Sequence, residues 1–290
     1  SSAASDVYKR QGTHVAKTIG SGIVNGEMIT LTVIFCALLA AVLWNLFTWW
    51  LGLPSSSSHA LIGGLLGATI VKAGFSAVHF NTLMDKVIIP MFTSPVLGFC
   101  AGFMLMLLLA WIIVISKAHP DKVNKKFRKL QLLSSGLMAL SHGSNDAQKT
   151  MGIITLALMA GGVLHKGPSG EFEIPIYVIL ACAITMAAGT MNGGWKIIKT
   201  MGHKIIRLKP IHGFAAETSA AGLILTASHF GIPLSTTHVI STAIMGVGST
   251  LHAHAVKWKI VGNIVTAWIV TIPACMILSS IIYYLIYKII

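Results

Sequence analysis

The 290-residue chain is 54% hydrophobic and only 10% charged, with a mean hydropathy of +0.79. That balance excludes an ordinary water-soluble domain and indicates a polytopic membrane protein of the all-α class. The net charge of +13 does not imply nucleic acid as a partner, because the basic residues gather between apolar stretches.

The opening residues, SSAASDVYKRQ, lack a charged segment followed by an apolar core and so are not a signal peptide. Asp6 to Gln11 can be back-translated as GAT GTG TAT AAG AGA CAG, which resembles a transposon mosaic end used in sequencing-library preparation. Residues 1–11 are therefore expected to be a non-native tail, with the native chain beginning further upstream.

Beyond the tail, apolar stretches able to cross roughly 30 Å of hydrocarbon at about 1.5 Å per residue lie near 29–51, 56–75, 87–116, 131–163, 176–194, 213–230, 233–250 and 258–287. Gly, Pro, Ser and Thr clusters inside several of them predict broken or re-entrant helices. A basic loop is expected at 117–130, carrying Lys117, Lys122, Lys125, Lys126, Arg128 and Lys129. A second basic cluster over 196–209 holds Lys196, Lys199, Lys204, Arg207 and Lys209. The positive-inside bias places both 117–129 and 196–209 in the cytoplasm. Cys36, Cys100, Cys182 and Cys275 sit singly in apolar stretches without CxxC spacing, as small buried hydrophobes would.

The chain repeats itself. GLPSSSSHALIGGLLG (Gly52 to Gly67) matches GIPLSTTHVISTAIMG (Gly231 to Gly246) at an offset of 179. Lys17 to Val24 matches Lys199 to Ile206 at 182, and Thr93 to Pro95 matches Thr271 to Pro273 at 178. Two related halves follow: a first repeat over 12–116 and a second over 131–290. The first-half segment from Lys17 to Glu27 has one Lys and one Glu, whereas Lys196 to Lys209 has five basic residues and no acid. Equivalent segments thus face opposite sides of the membrane, the inverted-topology arrangement of secondary transporters, with substrate near the midplane between the halves.

Polar residues within the apolar stretches locate the site. Of the eight acidic residues, only Asp146 and Glu217 fall well inside hydrophobic stretches, where an ionisable group marks a substrate or ion pathway. PSSSSH and PLSTTH each place a proline and a row of hydroxyls ahead of an apolar run. That order predicts a helix N-terminus in or near the membrane. Free N–H groups, the positive dipole end and hydroxyl donors together suit a tetrahedral oxyanion. His59 and His238 close the two motifs, and His142 and Lys149 flank Asp146; these four are secondary candidates. No cofactor and no metal-ligating cluster are expected.

SHGSNDAQKTMG, GLPSSSSHALIGG and GIPLSTTHVISTAIMG resemble the signature segments of the inorganic phosphate transporter (PiT) family in its bacterial form. The likeness runs from about Gly12 through AKTIGSGIV, WNLFTWWLG, GFAAETSAA and GNIVTAWIVTIPA. The resemblance implies a plasma-membrane, multi-pass symporter that imports phosphate with H+ or Na+, in some members as a divalent metal-phosphate complex. A homo-oligomer is compatible with it. Carried onto this chain, it places the phosphate and cation sites around Asn145, Asp146, Gln148, Ser56, Ser57, Ser58, Ser235, Thr236 and Thr237; the coupling cation is expected at Asp146 and, from its position inside an apolar stretch, at Glu217. The first-half counterpart of Asp146 would fall upstream of residue 1, so the chain is expected to be N-terminally truncated. Rival functions are a carrier of another oxyanion such as sulfate, a carrier whose main cargo is a metal, a non-transporting scaffold, and a membrane-embedded hydrolase suggested only by GPSG at Gly167 to Gly170.

Overall fold

The computed structural model describes residues 14–117, 119–165, 173–191, 193–206, 208–251 and 255–289. Residues 1–11, the GPSG segment and Arg207 lie outside them. Eight main helices follow in chain order: α1 (Leu31–Leu51), α2 (Ser57–Ala73), α3 (Ile89–Ser116), α4 (Pro120–Ala160), α5 (Ile176–Met191), α6 (Pro210–His229), α7 (Thr236–Ser249) and α8 (Trp258–Ile289). Among the described residues the β-structure is a single isolated bridge, Val24 with Val78.

Composition explains both the packing and the outer surface. Phe35, Val42, Leu46, Trp111, Val114 and Ile115 point outward from α1 and α3, as expected where the surrounding solvent is lipid. Small residues bring the backbones together inside. A Cβ on Gly64 would lie 2.5 Å from the Ala37 carbonyl oxygen, and one on Gly63 would lie 2.6 Å from that of Ile272. These positions seat α2 between α1 and α8. On the other side, a Cβ on Gly98 would lie 2.8 Å from the Val239 oxygen, which fixes α3 on α7.

The most extensive helix pairs are therefore crossed between the sequence repeats: α2 on α8, and α7 on α3. Smaller contacts repeat the crossing. Thr18 Oγ1 donates to the Gly231 carbonyl, and Thr200 Oγ1 donates to the Gly52 carbonyl, each at 2.9 Å. Both threonines begin a π-helical turn, Thr18–Gly22 and Thr200–Lys204. Both glycines have left-handed φ, 67° at Gly231 and 69° at Gly52, the conformation that lets the chain reverse after a helix. The next residues bond back in parallel, Leu53 N to Thr48 O at 2.9 Å and Ile232 N to Ala227 O at 3.0 Å.

Three expectations change. Residues 120–130 of the anticipated basic loop are helical, because α4 starts at Pro120 and runs unbroken for 41 residues. His119 Nδ1 accepts from Asp121 N at 3.4 Å, Pro120 supplies the fixed φ of a first turn, and buried Phe127 packs against Phe214. The lysines and Arg128 are thus carried on the exposed faces of a helix. The 56–75 and 233–250 stretches hold helices of 17 and 14 residues. At 1.5 Å per residue these reach only about 26 and 21 Å, short of a full crossing, because Pro54 and Pro233 precede extended backbone and delay each helix. Cys100 is exposed, unlike the other three cysteines, because it lies on the outer face of α3.

By length and composition, three helical segments among the described residues can cross a membrane: Leu31–Leu51, Phe80–Ser116 and Trp258–Ile289. The bent pair Ile176–Met191 and Trp195–Gly202 makes a fourth if it counts as one span.

Candidate functional site

The site forms where the middle of α4 meets the N-termini of α2 and α7. On α4, His142, Asn145, Asp146 and Lys149 recur at spacings of three and four and share one face. Opposite them, each Ser/Thr motif turns into its helix through a serine cap. Ser56 Oγ accepts from His59 N at 3.2 Å, and Ser235 Oγ accepts from His238 N at 3.3 Å. The first-turn N–H groups that follow have no intrahelical carbonyl to bond.

Lys149 links all three elements. Its ammonium donates at 2.6 Å to each of Asp146 Oδ1, Ser58 Oγ and the Leu234 carbonyl. The side chain is only 3% exposed. Asp146 is held from its other oxygen by Thr236 Oγ1 at 3.1 Å. His142 Nδ1 approaches that oxygen to 3.2 Å but is not aligned for a hydrogen bond. A buried charge is tolerated when it is paired and its remaining hydrogen-bonding capacity is used, and the Asp146–Lys149 pair meets that condition.

Asn145 extends the network. Its Nδ2 donates to the Leu234 carbonyl at 3.1 Å and to Asp146 Oδ1 at 3.2 Å, while its Oδ1 accepts from Ser228 at 3.2 Å. Gln148 faces another way, accepting from Val15 N at 3.1 Å. Ser57 is exposed and Thr237 half-buried at the rim. Behind the hydroxyls, the His59 and His238 rings meet edge to face at 4.8 Å, and His238 stacks on Trp268 at 4.0 Å.

Glu217 does not join this cluster. It accepts from Ser134 Oγ at 2.5 Å and Ser135 Oγ at 3.1 Å. Ser134 precedes Asp146 by twelve residues on α4, about 18 Å along the axis. A cleft of about 760 Å³ between α4 and α5 has His142, Ser144 and Gln148 on one wall but is otherwise lined largely by Ala, Leu, Ile and Met. Its apolar character suits lipid or an apolar group better than an oxyanion, so the helix N-termini remain the better anion seat.

Sequence reasoning missed the Leu234 carbonyl, Ser228 and Trp268. Ser228 is a buried hydroxyl within an apolar stretch, the same signal that singled out the other polar residues. A backbone carbonyl carries no such mark.

The family model described as the phosphate transporter family matches residues 4–279. The chain belongs to this phosphate transporter family. Among named relatives, a Rhizobium meliloti protein is 46% identical over 273 residues, covering 94% of this chain and 80% of its own length. A Bacillus subtilis relative is 41% identical, with 94% and 80% covered, and one from Mycobacterium leprae is 41% identical, with 96% and 66% covered. The chain thus spans about two thirds of that last relative's length. All three are named "Probable low-affinity inorganic phosphate transporter". A solved structure titled "The sodium-dependent phosphate transporter" has a TM-score of 0.83 at 25% identity, covering 96% of this chain and 86% of that one. The family member described here is accordingly an integral membrane protein of transport rather than an enzyme, which sets the hydrolase aside.

Proposed function

We propose that this chain is the core of a secondary carrier that imports inorganic phosphate together with a coupling cation, H+ or Na+, across the plasma membrane. The observation that carries it is the convergence of two serine-capped helix N-termini on the Asp146–Lys149 pair of α4. Ser56, Ser57 and Ser58 of one hairpin and Ser235, Thr236 and Thr237 of the other frame the seat of a tetrahedral oxyanion with neutral hydroxyls and first-turn N–H groups, Asn145 borders it, and Gln148, turned toward Val15, would have to swing to reach it. Neutral donors hold an anion without the grip of an arginine cluster, which suits release. Asp146 is the carboxylate through which the coupling cation acts, by being protonated or by binding the ion, and each ligand then strengthens binding of the other. Glu217 is a second, separate acidic station along the cation route, and His59, His238 and His142 support the hairpins and the carboxylate.

The crossed contacts between halves support a twofold relation, since a reciprocal pattern is what such an axis produces. The charge difference between the equivalent segments favours the inverted form, with the basic start of α4 and the 196–209 segment cytoplasmic. A metal-phosphate complex as cargo and a homo-oligomeric assembly belong to the same proposal.

The test is phosphate counterflow and gradient-driven uptake in proteoliposomes, comparing sodium with proton gradients and adding sulfate or a divalent metal as competitor or co-substrate. Uptake of phosphate driven by one of the two gradients supports the proposal. Preferential transport of sulfate, or of metal without phosphate, replaces it.

A further inference from the structure

Lys149 is surrounded as a bound metal cation would be. The oxygens it contacts are of three kinds, a carboxylate (Asp146), a hydroxyl (Ser58) and a backbone carbonyl (Leu234), all at 2.6 Å. Hard oxygen donors of this kind are what small, hard cations select. They also come from three places, α4 itself and each of the two Ser/Thr hairpins. Whatever positive charge sits among them ties both hairpins to α4.

We propose that Lys149 is a tethered cation, occupying the seat that a sodium ion would otherwise take beside Asp146, so that this carrier does not bind Na+ at that position. The proposal rests on the phosphate-carrier function above and specifies its ion site.

Three features of the geometry support it. An ammonium has three donors and no acceptor, and here all three are used by protein oxygens. None is left to grip phosphate, which separates Lys149 from a substrate-binding lysine. The charge balance also closes, because Asp146 is the carboxylate Lys149 pairs with, and one carboxylate with one ammonium is already neutral. A sodium ion added there would meet the ammonium at short range, in a setting where water does little to screen the repulsion. The other titratable groups around the pair supply no negative charge to offset it. They are His142 on α4, His59 from α2 and His238 from α7, while Glu217 on α6 is bonded to Ser134 and Ser135 three turns away.

The matched fold of a protein titled as sodium-dependent makes the question concrete. The same architecture accommodates sodium use, and a single side chain here fills the oxygen set of one candidate ion seat.

The test measures radiolabelled sodium bound to the purified protein at fixed pH. Wild type is expected at background. Lys149→Ala frees the three oxygens and is expected to bind sodium at least about tenfold above the wild-type level. Adding Asp146→Asn to that variant removes the signal again. Lys149→Gln, which removes the charge while filling more of the space than alanine, serves if the alanine variant does not fold, with thermal melting as the check. Saturable sodium binding by wild type overturns the proposal, and so does a folded Lys149 variant that remains at background. Phosphate counterflow by wild type is measured in parallel, with and without sodium and with and without a proton gradient. Its absence under every ion condition counts against the phosphate carrier, while the sodium-binding result still decides the role of Lys149.

Discussion

Thr236 donates its hydroxyl to Oδ2 of Asp146 at 3.1 Å while the opposite oxygen of that carboxylate holds Lys149 at 2.6 Å. One carboxylate therefore fastens the start of α7 to α4 and pairs with Lys149, three residues further along the same helix. Asp146→Asn keeps the shape but removes the charge. We expect loss of gradient-driven phosphate uptake together with a lower melting temperature, because removing one partner of a buried pair costs about 3–5 kcal/mol. Undiminished gradient-dependent uptake by the variant would sink the assignment.

The two caps should be equivalent. Ser56→Ala and Ser235→Ala each remove one side-chain acceptor from a buried N-terminal turn and should each cost about 1 kcal/mol of stability. Asparagine at either position should restore most of it. Thermal melting of the four single variants checks this, and a large difference between the two serines would show that the hairpins are not structurally matched.

Glycine substitutions should divide by their neighbours. Gly64→Ala forces a Cβ to 2.5 Å from the Ala37 carbonyl and should separate α1 from α2, destabilising by about 1–3 kcal/mol. Gly136→Ala, with nothing within 4 Å of the added carbon, should be neutral or stabilise α4 by about 0.5–1 kcal/mol. Comparing melting temperatures and monodispersity in detergent distinguishes the two. Equal effects would mean that the close α1–α2 approach is wrong.

Glu217 tests the idea of two acidic stations. Its carboxylate rests on Ser134 and Ser135, about three turns from Asp146 along α4. Glu217→Gln should change the ion concentration needed for half-maximal uptake and leave the half-saturating phosphate concentration near the wild-type value. A shift confined to phosphate would assign Glu217 to the anion instead.

Much of this architecture was legible in the sequence because membranes simplify the code. Long apolar runs announced helices, and a carboxylate such as Asp146 stood out against them. The Ser/Thr motifs announced their caps because a proline followed by hydroxyls leaves few other local structures. What could not be read lay in continuity and in the backbone. The basic segment reads as a loop on its charge alone, although Pro120 and Asp121 can start a helix and the exposed faces of a helix carry lysines as readily as a loop does. The lengths of α2 and α7 depended on where Pro54 and Pro233 let a helix begin. That Lys149 would use all its donors on protein oxygens depended on the Leu234 carbonyl, which any residue at that position would also present.

The paired bonds from Thr18 to Gly231 and from Thr200 to Gly52, with α2 lodged on α8 and α7 on α3, mean that the chain before Lys117 and the chain after it each bury much of their surface against the other. Each supplies the other's packing partner, like two hands with fingers laced. The peptide link between α3 and α4 is then dispensable for cohesion. A chain severed near Lys117, or made as two co-expressed pieces, should purify as a single particle, whereas either piece made alone should aggregate.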